Sequence, residues 1–195
     1  AGGVIDAEID LALAGTVNLN SGSTLNSSAI LTNQIGRIQA NSGAIVNQTG
    51  GTLLNLGTID NQSGGSLTNQ SGGSLLNIGT LSTQAGATLT NEGTLNNNNT
   101  INNGGTFDNN DFLTNAVTIV NLGSGTLNNN SSLANNGTLT NSASGALNNS
   151  GILTNTGSIA NAGTLTNQTG GTLSSFTTFT NTGNFNNDGT FDNNG

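Results

Sequence analysis

Chemistry in this chain would have to come from very few residues. Nine acidic side chains, one cation (Arg37) and a large stock of serine and threonine make up the reactive inventory, because the sequence contains no His, Cys, Met, Trp, Tyr or Pro. A hydroxyl nucleophile needs a base beside it, and proton transfer at neutral pH draws mostly on groups that are missing here. Only Arg37 or the amino terminus could stand in for an imidazole or a lysine amine, so the chain is read as non-enzymatic, with no catalytic residue and no cofactor. Asp108 and Asp111 flank two asparagines, and Asp188 and Asp192 recur near the carboxyl end. Such groupings offer the oxygen ligands a hard cation takes, but the GGxGxD pattern of calcium-binding solenoids is absent, and no metal site is assigned. A net charge of −8 with a single Lys or Arg disfavours phosphate-led nucleic-acid binding and attraction to an anionic membrane. No run approaches the roughly 20 apolar residues of a membrane span. The opening AGGVIDAEIDLALAG has no basic, apolar leader, which leaves either no export or a leader already removed. The NxS/T triplets at Asn47, Asn61, Asn69, Asn136 and Asn167 follow from composition alone.

What positions these residues is a repeat. From Ile45 the apolar residues Leu53, Ile59, Leu67, Leu75, Leu81, Leu89, Leu95, Ile101, Phe107 and so on to Phe191 return at steps of six or eight. Leu13, Leu19, Leu25 and Leu31 keep the step of six upstream, and Ile38 joins them to Ile45 by steps of seven. Two residues after the beat stands asparagine, with exceptions such as Ser27, Ala40, Thr83 and Ser175 that are all small, and two before it there is usually glycine. The unit is Leu-x-Asn-x-Gly-Thr, with a longer form such as LTNQSGGS from Leu67. Its beats are too sparse for an amphipathic helix. In an extended segment alternate residues share a face, so Leu and Asn point one way, and Gly then frees the backbone to turn a corner. Strand, corner and strand, repeated, form a coil, and stacked coils form a solenoid.

Three units per turn place the eight-residue steps, which end at Leu53, Leu67, Leu75, Leu89, Leu127, Leu147 and Leu173, on two corners and never on the third. On the same phasing Ile59, Ile101, Ile119 and Ile159 stack on one side. The fold class is therefore all-β: a single parallel β-solenoid with three-sided coils of about 18–22 residues, roughly nine coils and roughly 43 Å long at the strand spacing. Residues 1–14 are set apart as an amino-terminal strand, a cap or an intersubunit strand, and residues 15–195 as the solenoid domain.

Asparagines stacked from coil to coil predict interior amide ladders, with Asn55, Asn77, Asn91, Asn97, Asn103, Asn109, Asn115 and Asn121 among their members. Phe107, Phe179, Phe185 and Phe191 fall on beats and are expected in the core, whereas Phe112 and Phe176 lie off it and are expected at the surface. TxT pairs such as Thr88 and Thr90, Thr138 and Thr140, Thr164 and Thr166, and Thr178 and Thr180 project outward. TLLNLGT and SLLNIGT put Leu54, Leu56, Leu76 and Ile78 on a solvent face, a candidate lateral contact. Phe112, Val120 and Leu122 form a second candidate. Unpaired strand edges at the ends of a solenoid invite assembly, with Ile5, Ile9, Leu11, Leu13, Phe185 and Phe191 as end-to-end candidates; Ile5 to Leu13 alternates with Asp6, Glu8 and Asp10 and reads as one strand with an apolar and an acidic face.

The repeated LTNxGTL unit resembles the Asn/Gly/Thr-rich β-solenoid arrays of bacterial secreted adhesins, autotransporter passengers and filamentous-haemagglutinin-like surface proteins, over residues 13–195. The resemblance implies an extracellular or cell-surface, prokaryotic protein with a structural or adhesive role. The period of six also resembles the hexapeptide helices of acyltransferases, but the histidine those enzymes use is missing and the activity does not carry over. The leading expectation is a structural subunit of an extracellular filament or matrix whose partner is a further copy of itself, joined head to tail. The alternatives are a rod segment of an adhesin contacting glycans or surfaces through outward Thr and Asn, and an ice-binding solenoid with flat threonine columns, in which Asp60, Asp108, Asn128 and Asn148 interrupt the second Thr.

Overall fold

The structure, a computed structural model, describes residues 2–195. Short strands, almost all of four residues, follow one another along the chain and pair only with the strand three places before and three places after. Three parallel sheets result. Sheet I runs from Val4–Ala7 to Asn184–Asn187 in ten strands, sheet II from Leu11–Leu13 to Thr190–Asn193 in ten, and sheet III from Val17–Leu19 to Thr178–Asn181 in nine. The molecule is the three-sided solenoid that the period implies, with about ten turns where roughly nine were expected.

The extra turn is the amino-terminal segment. Ile5 to Leu13 is not one strand: Val4–Ala7 pairs with Thr24–Ser27 on sheet I, and Leu11–Leu13 pairs with Ile30–Asn33 on sheet II, with Leu11 opposite Leu31. This register corrects the phasing of the first beats. Ile5, Leu11 and Val17 occupy the apolar column, whereas Ala7, Leu13 and Leu19 occupy the places that asparagine fills in later coils. Leucine at two-residue spacing can imitate either position, which is why Leu13 and Leu19 pass for beats in the sequence.

A second correction concerns residues 31–45. Ile38 is half exposed, and the side chain in the column is Gln39, fully buried opposite Ile59. The steps are thus eight and six, Leu31 to Gln39 to Ile45, and the ladder position is Asn41 rather than Ala40. The long step into Gln39 also falls on the II/III corner, so that corner is not free of long steps, although from Ile45 onward they fall only on the other two.

The two corner types use glycine for different reasons. Each long corner holds a β-turn, and in most, as where the Gly65 amide donates to the Gln62 carbonyl (2.7 Å) with Gly64 at φ +81°, the third residue is a left-handed glycine, which adopts that conformation without strain; Leu122–Gly125, with Gly123 second, and Ser142–Gly145 depart from this. At short corners the glycine φ is ordinary, and the constraint is proximity: a Cβ on Gly157 would overlap the carbonyl oxygen of Gly137 one coil below. Inside, one large apolar side chain per side forms a continuous column from Leu25 to Leu173, fully buried and broken only by Gln39. Ile59, Ile101, Ile119 and Ile159 all stand on sheet III.

Candidate interaction surfaces

The interior is half polar, and its polar half is ordered by one recurring geometry. On sheet II the Nδ2 of Asn33 donates to the Oδ1 of Asn55 (2.8 Å), Asn55 to Asn77 (2.7 Å), Asn77 to Asn97 (2.7 Å), Asn97 to Asn115 (2.8 Å), Asn115 to Asn135 (2.7 Å) and Asn135 to Asn155 (2.7 Å). Sheet I carries the same ladder from Asn47 to Asn187 through Asn91 and Asn109. Sheet III carries it from Asn103 to Asn181 through Asn121. The second Nδ2 hydrogen reaches a main-chain carbonyl at the start of the next side, as from Asn115 to Thr138 (2.9 Å). Every predicted ladder residue takes part. An amide presents one acceptor oxygen and two donor hydrogens, so this arrangement satisfies both functions at zero exposure.

Unpaired buried polar atoms occur where the ladder is interrupted. Asn33 Oδ1 lies above Leu13, Asn47 Oδ1 above Ser27, whose hydroxyl donates to Ala29 instead, and Asn103 Oδ1 above Thr83, whose own Oγ1 is also unpartnered. The remaining two are both polar atoms of Gln39 in the apolar column. Sequence reasoning missed Gln39 because the neighbouring Ile38 is the more apolar residue; the asparagine two places on, Asn41, is the signal that identifies it.

The exterior differs from side to side. Leu54 and Leu76 are register neighbours on sheet II, and Leu56 and Ile78 stack at the adjoining II/III corner, so the structure brings these four together, half-buried except for the exposed Ile78. Phe112, Val120 and Leu122 are not brought together: Phe112 is exposed on sheet II, Val120 lies on sheet III, and Leu122 sits at the III/I corner. Phe176 is exposed at the II/III corner. The TxT pairs do not stack on one another. Thr138 and Thr140 lie between Thr118 with Val120 and Ser158 with Ala160, and Thr88 and Thr90 are followed by Thr106 with Asp108. No regular threonine lattice is formed by these pairs.

The acidic groups are outward-facing or at corners. Asp108 accepts from Asn128 (2.7 Å) along sheet I, and Asp60 accepts from Gln84 (2.7 Å). The terminal amine lies outside the described residues. Where a short III/I corner at Gly104 falls between the long corners Gln84–Ala87 and Leu122–Gly125, it is recessed and leaves an open notch of about 380 Å³, lined by Ser82, Gln84, Asn102, Gly104, Leu122 and Ser124. The lining offers amides, hydroxyls and the apolar side chains of Ala85 and Leu122, with no charge.

The outermost coils are unlike each other. In the first, Ile5 and Ile9 are exposed, Leu11 is half-buried and Leu13 buried. In the last, Phe179, Phe185 and Phe191 close the column as an aromatic triangle, with ring centroids 4.9–5.4 Å apart in edge-on or tilted contact, the geometry aromatic pairs prefer. The ladder amides beside them, Asn181 and Asn187, donate to Gly183 (3.0 Å) and Gly189 (3.3 Å) of their own corners.

A family model described as haemagglutinin repeat matches residues 62–116 and 112–195, that is, most of the coils just described. No curated protein and no solved structure matches the chain.

Proposed function

We propose that this chain, which belongs to the haemagglutinin-repeat family, works as a non-catalytic rod in a secreted or cell-surface bacterial structure. The observation that carries the reading is the interior: three parallel sheets around one apolar column and amide ladders that repeat the same bonds from coil to coil. Such an interior resists bending because any tilt between coils stretches backbone bonds and side-chain bonds together. A rod of about ten coils at about 4.8 Å per coil is about 48 Å long. It suits a segment that holds something away from a surface or extends a fibre.

Rods of this kind lengthen head to tail in our reading. The aromatic triangle of Phe179, Phe185 and Phe191 offers an apolar seat of the same three-fold outline as Ile5, Leu11 and Val17 of a second copy. The apolar columns match across such a joint when the coil continues, with Ile5, Leu11 and Val17 above Phe179, Phe185 and Phe191, because sheet III ends one strand before the other two. The ladders stop there, because Asn181, Asn187 and Asn193 would meet the places held by Ala7, Leu13 and Leu19. Electron microscopy of the purified chain tests the assembly: filaments that are abolished by Phe185→Asp support it, and isolated short rods at high concentration overturn it. The notch at Gly104 favours a second reading, an adhesin rod that contacts neutral sugars, since amides, hydroxyls and an apolar edge are the groups that recognise polyols. Ser124→Trp would fill the notch, and binding to a glycan array that survives this change sinks that reading.

A further inference from the structure

Apolar exposure and charge are sorted onto different sides of the rod. Among the exposed large apolar side chains, Ile30, Phe112 and Ile152 stand on sheet II. Ile35, Ile78, Val117 and Phe176 stand on the II/III corner, where Leu56 also lies, half-buried. Beyond the first coil only Ile38, on sheet III, and Leu122, at the III/I corner, lie elsewhere, and sheet I between its second and last strands carries none. The acids are placed the other way. Asp6 and Asp108 lie on sheet I, and Glu8, Glu92, Asp111 and Asp188 at the I/II corner, while Asp60 lies on sheet III. Sheet II carries acid only in its outermost coils, at Asp10 beside its first strand and Asp192 in its last, and the II/III corner carries the one cation, Arg37. A lengthwise stripe that holds seven of the nine exposed large apolar side chains beyond the first coil, with Ser, Thr and Asn between them, therefore runs along sheet II and the II/III corner.

We propose that this stripe is the interface of an antiparallel, two-fold dimer of the chain. The occupant follows from three features. First, a second copy of a chain with net charge −8 meets less repulsion along the stripe than along sheet I and the I/II corner, which hold six of the nine acids, Asp6, Asp108, Glu8, Glu92, Asp111 and Asp188. Second, from the third coil to the ninth the apolar residues have a centre of symmetry along the rod, whereas Ile30 and Ile35 of the second coil have no apolar counterpart in the tenth. Counting coils from Val4, Phe112 and Val117 belong to the sixth, and reversal about it sets Leu76 and Ile78 of the fourth against Ile152 of the eighth, and Leu54 and Leu56 of the third against Phe176 of the ninth. The same reversal sets Arg37 of the second coil against Asp192 of the tenth, which a parallel pairing would not do. Third, the stripe is large enough: eight coils at about 4.8 Å and one side of about 16 Å give about 600 Å² per copy and about 1,200 Å² in all, the lower limit of specific interfaces. A closed two-fold contact uses the same surface on both partners and stops at two.

The dimer is independent of end-to-end growth, and its test separates the two. Sedimentation equilibrium of the 195-residue chain at micromolar to high micromolar concentration is expected to give a monomer–dimer equilibrium that Phe112→Asp and Ile78→Asp, both on exposed positions, weaken by at least about tenfold. Phe185→Asp, which strikes the end, is expected to leave that equilibrium unchanged. Because the chain has no cysteine, Val117→Cys treated with a short bis-maleimide should yield a covalent dimer, and Thr90→Cys on sheet I should not. A strictly monomeric chain, an open-ended series of masses without Val117 cross-linking, or cross-linking at Thr90 in preference to Val117 would each overturn the proposal.

Discussion

Between Leu89 and Asn167 every ladder position on all three sheets is asparagine, every column position is Leu, Ile or Phe, and only the first member of sheet III, Asn103, has an unpaired oxygen. The first two coils share that backbone and little of that chemistry: their ladder positions hold Ala7, Leu13, Leu19, Ser27, Asn33 and Asn41, and their column holds Gln39. Most of the unpaired buried polar atoms lie at or just above these two coils. The backbone thus tolerates an apolar, a mixed or a fully amide interior, and the ladder adds polar satisfaction rather than creating the coil. An amide in the right column is stabilising because it has neighbours above and below; the same group in the wrong column has neither. Buried polar groups that lack partners cost about 1–3 kcal/mol each.

This contrast can be broken most forcefully in the regular region. Asn115→Leu would remove the bond Asn115 accepts from Asn97 and the two it donates to Asn135 and to the carbonyl of Thr138, and three such losses predict about 3–6 kcal/mol of destabilisation by chemical unfolding. Next comes Gly157→Ala, whose new methyl would meet the Gly137 carbonyl and force two coils apart; overpacking of this kind predicts a loss of about 2–3 kcal/mol, measurable in the same experiment. In the irregular region the sign reverses. Gln39→Leu removes two unpartnered polar atoms and completes the column, with an expected gain of about 2 kcal/mol and a higher melting temperature. The smallest effect is a repair: Thr83→Asn would bridge Asn61 to Asn103 and add about 1 kcal/mol, with slower amide exchange around residue 103 as the readout.

The solenoid was legible because two features with one period, the apolar beat and the asparagine two places on, agree over most of the chain. Where they disagree, at Ile38 and Gln39, hydropathy points to the wrong residue, since burial in this fold is set by register with the neighbouring coils and not by the polarity of one side chain. Leu13 and Leu19 mislead for a related reason: a leucine replacing an asparagine keeps the step of six while changing column. The Leu54, Leu56, Leu76 and Ile78 cluster could be read from two similar heptamers, but Ile30, Ile152 and Phe176 join the same stripe only once the corners are placed in space. Phe112, Val120 and Leu122 show the converse, being close in sequence and divided by two corners. The notch at Gly104 depends on the order of long and short corners in three consecutive coils, a relation no single repeat contains.

An interior amide stabilises this rod only as a rung between two others. Equilibrium unfolding of Asn115→Leu and Gln39→Leu, side by side, tests that statement without an intermediate step, because both variants replace a fully buried amide by leucine. Opposite signs are expected, a large loss for the first and a gain for the second. Changes of the same sign in the two variants would refute it.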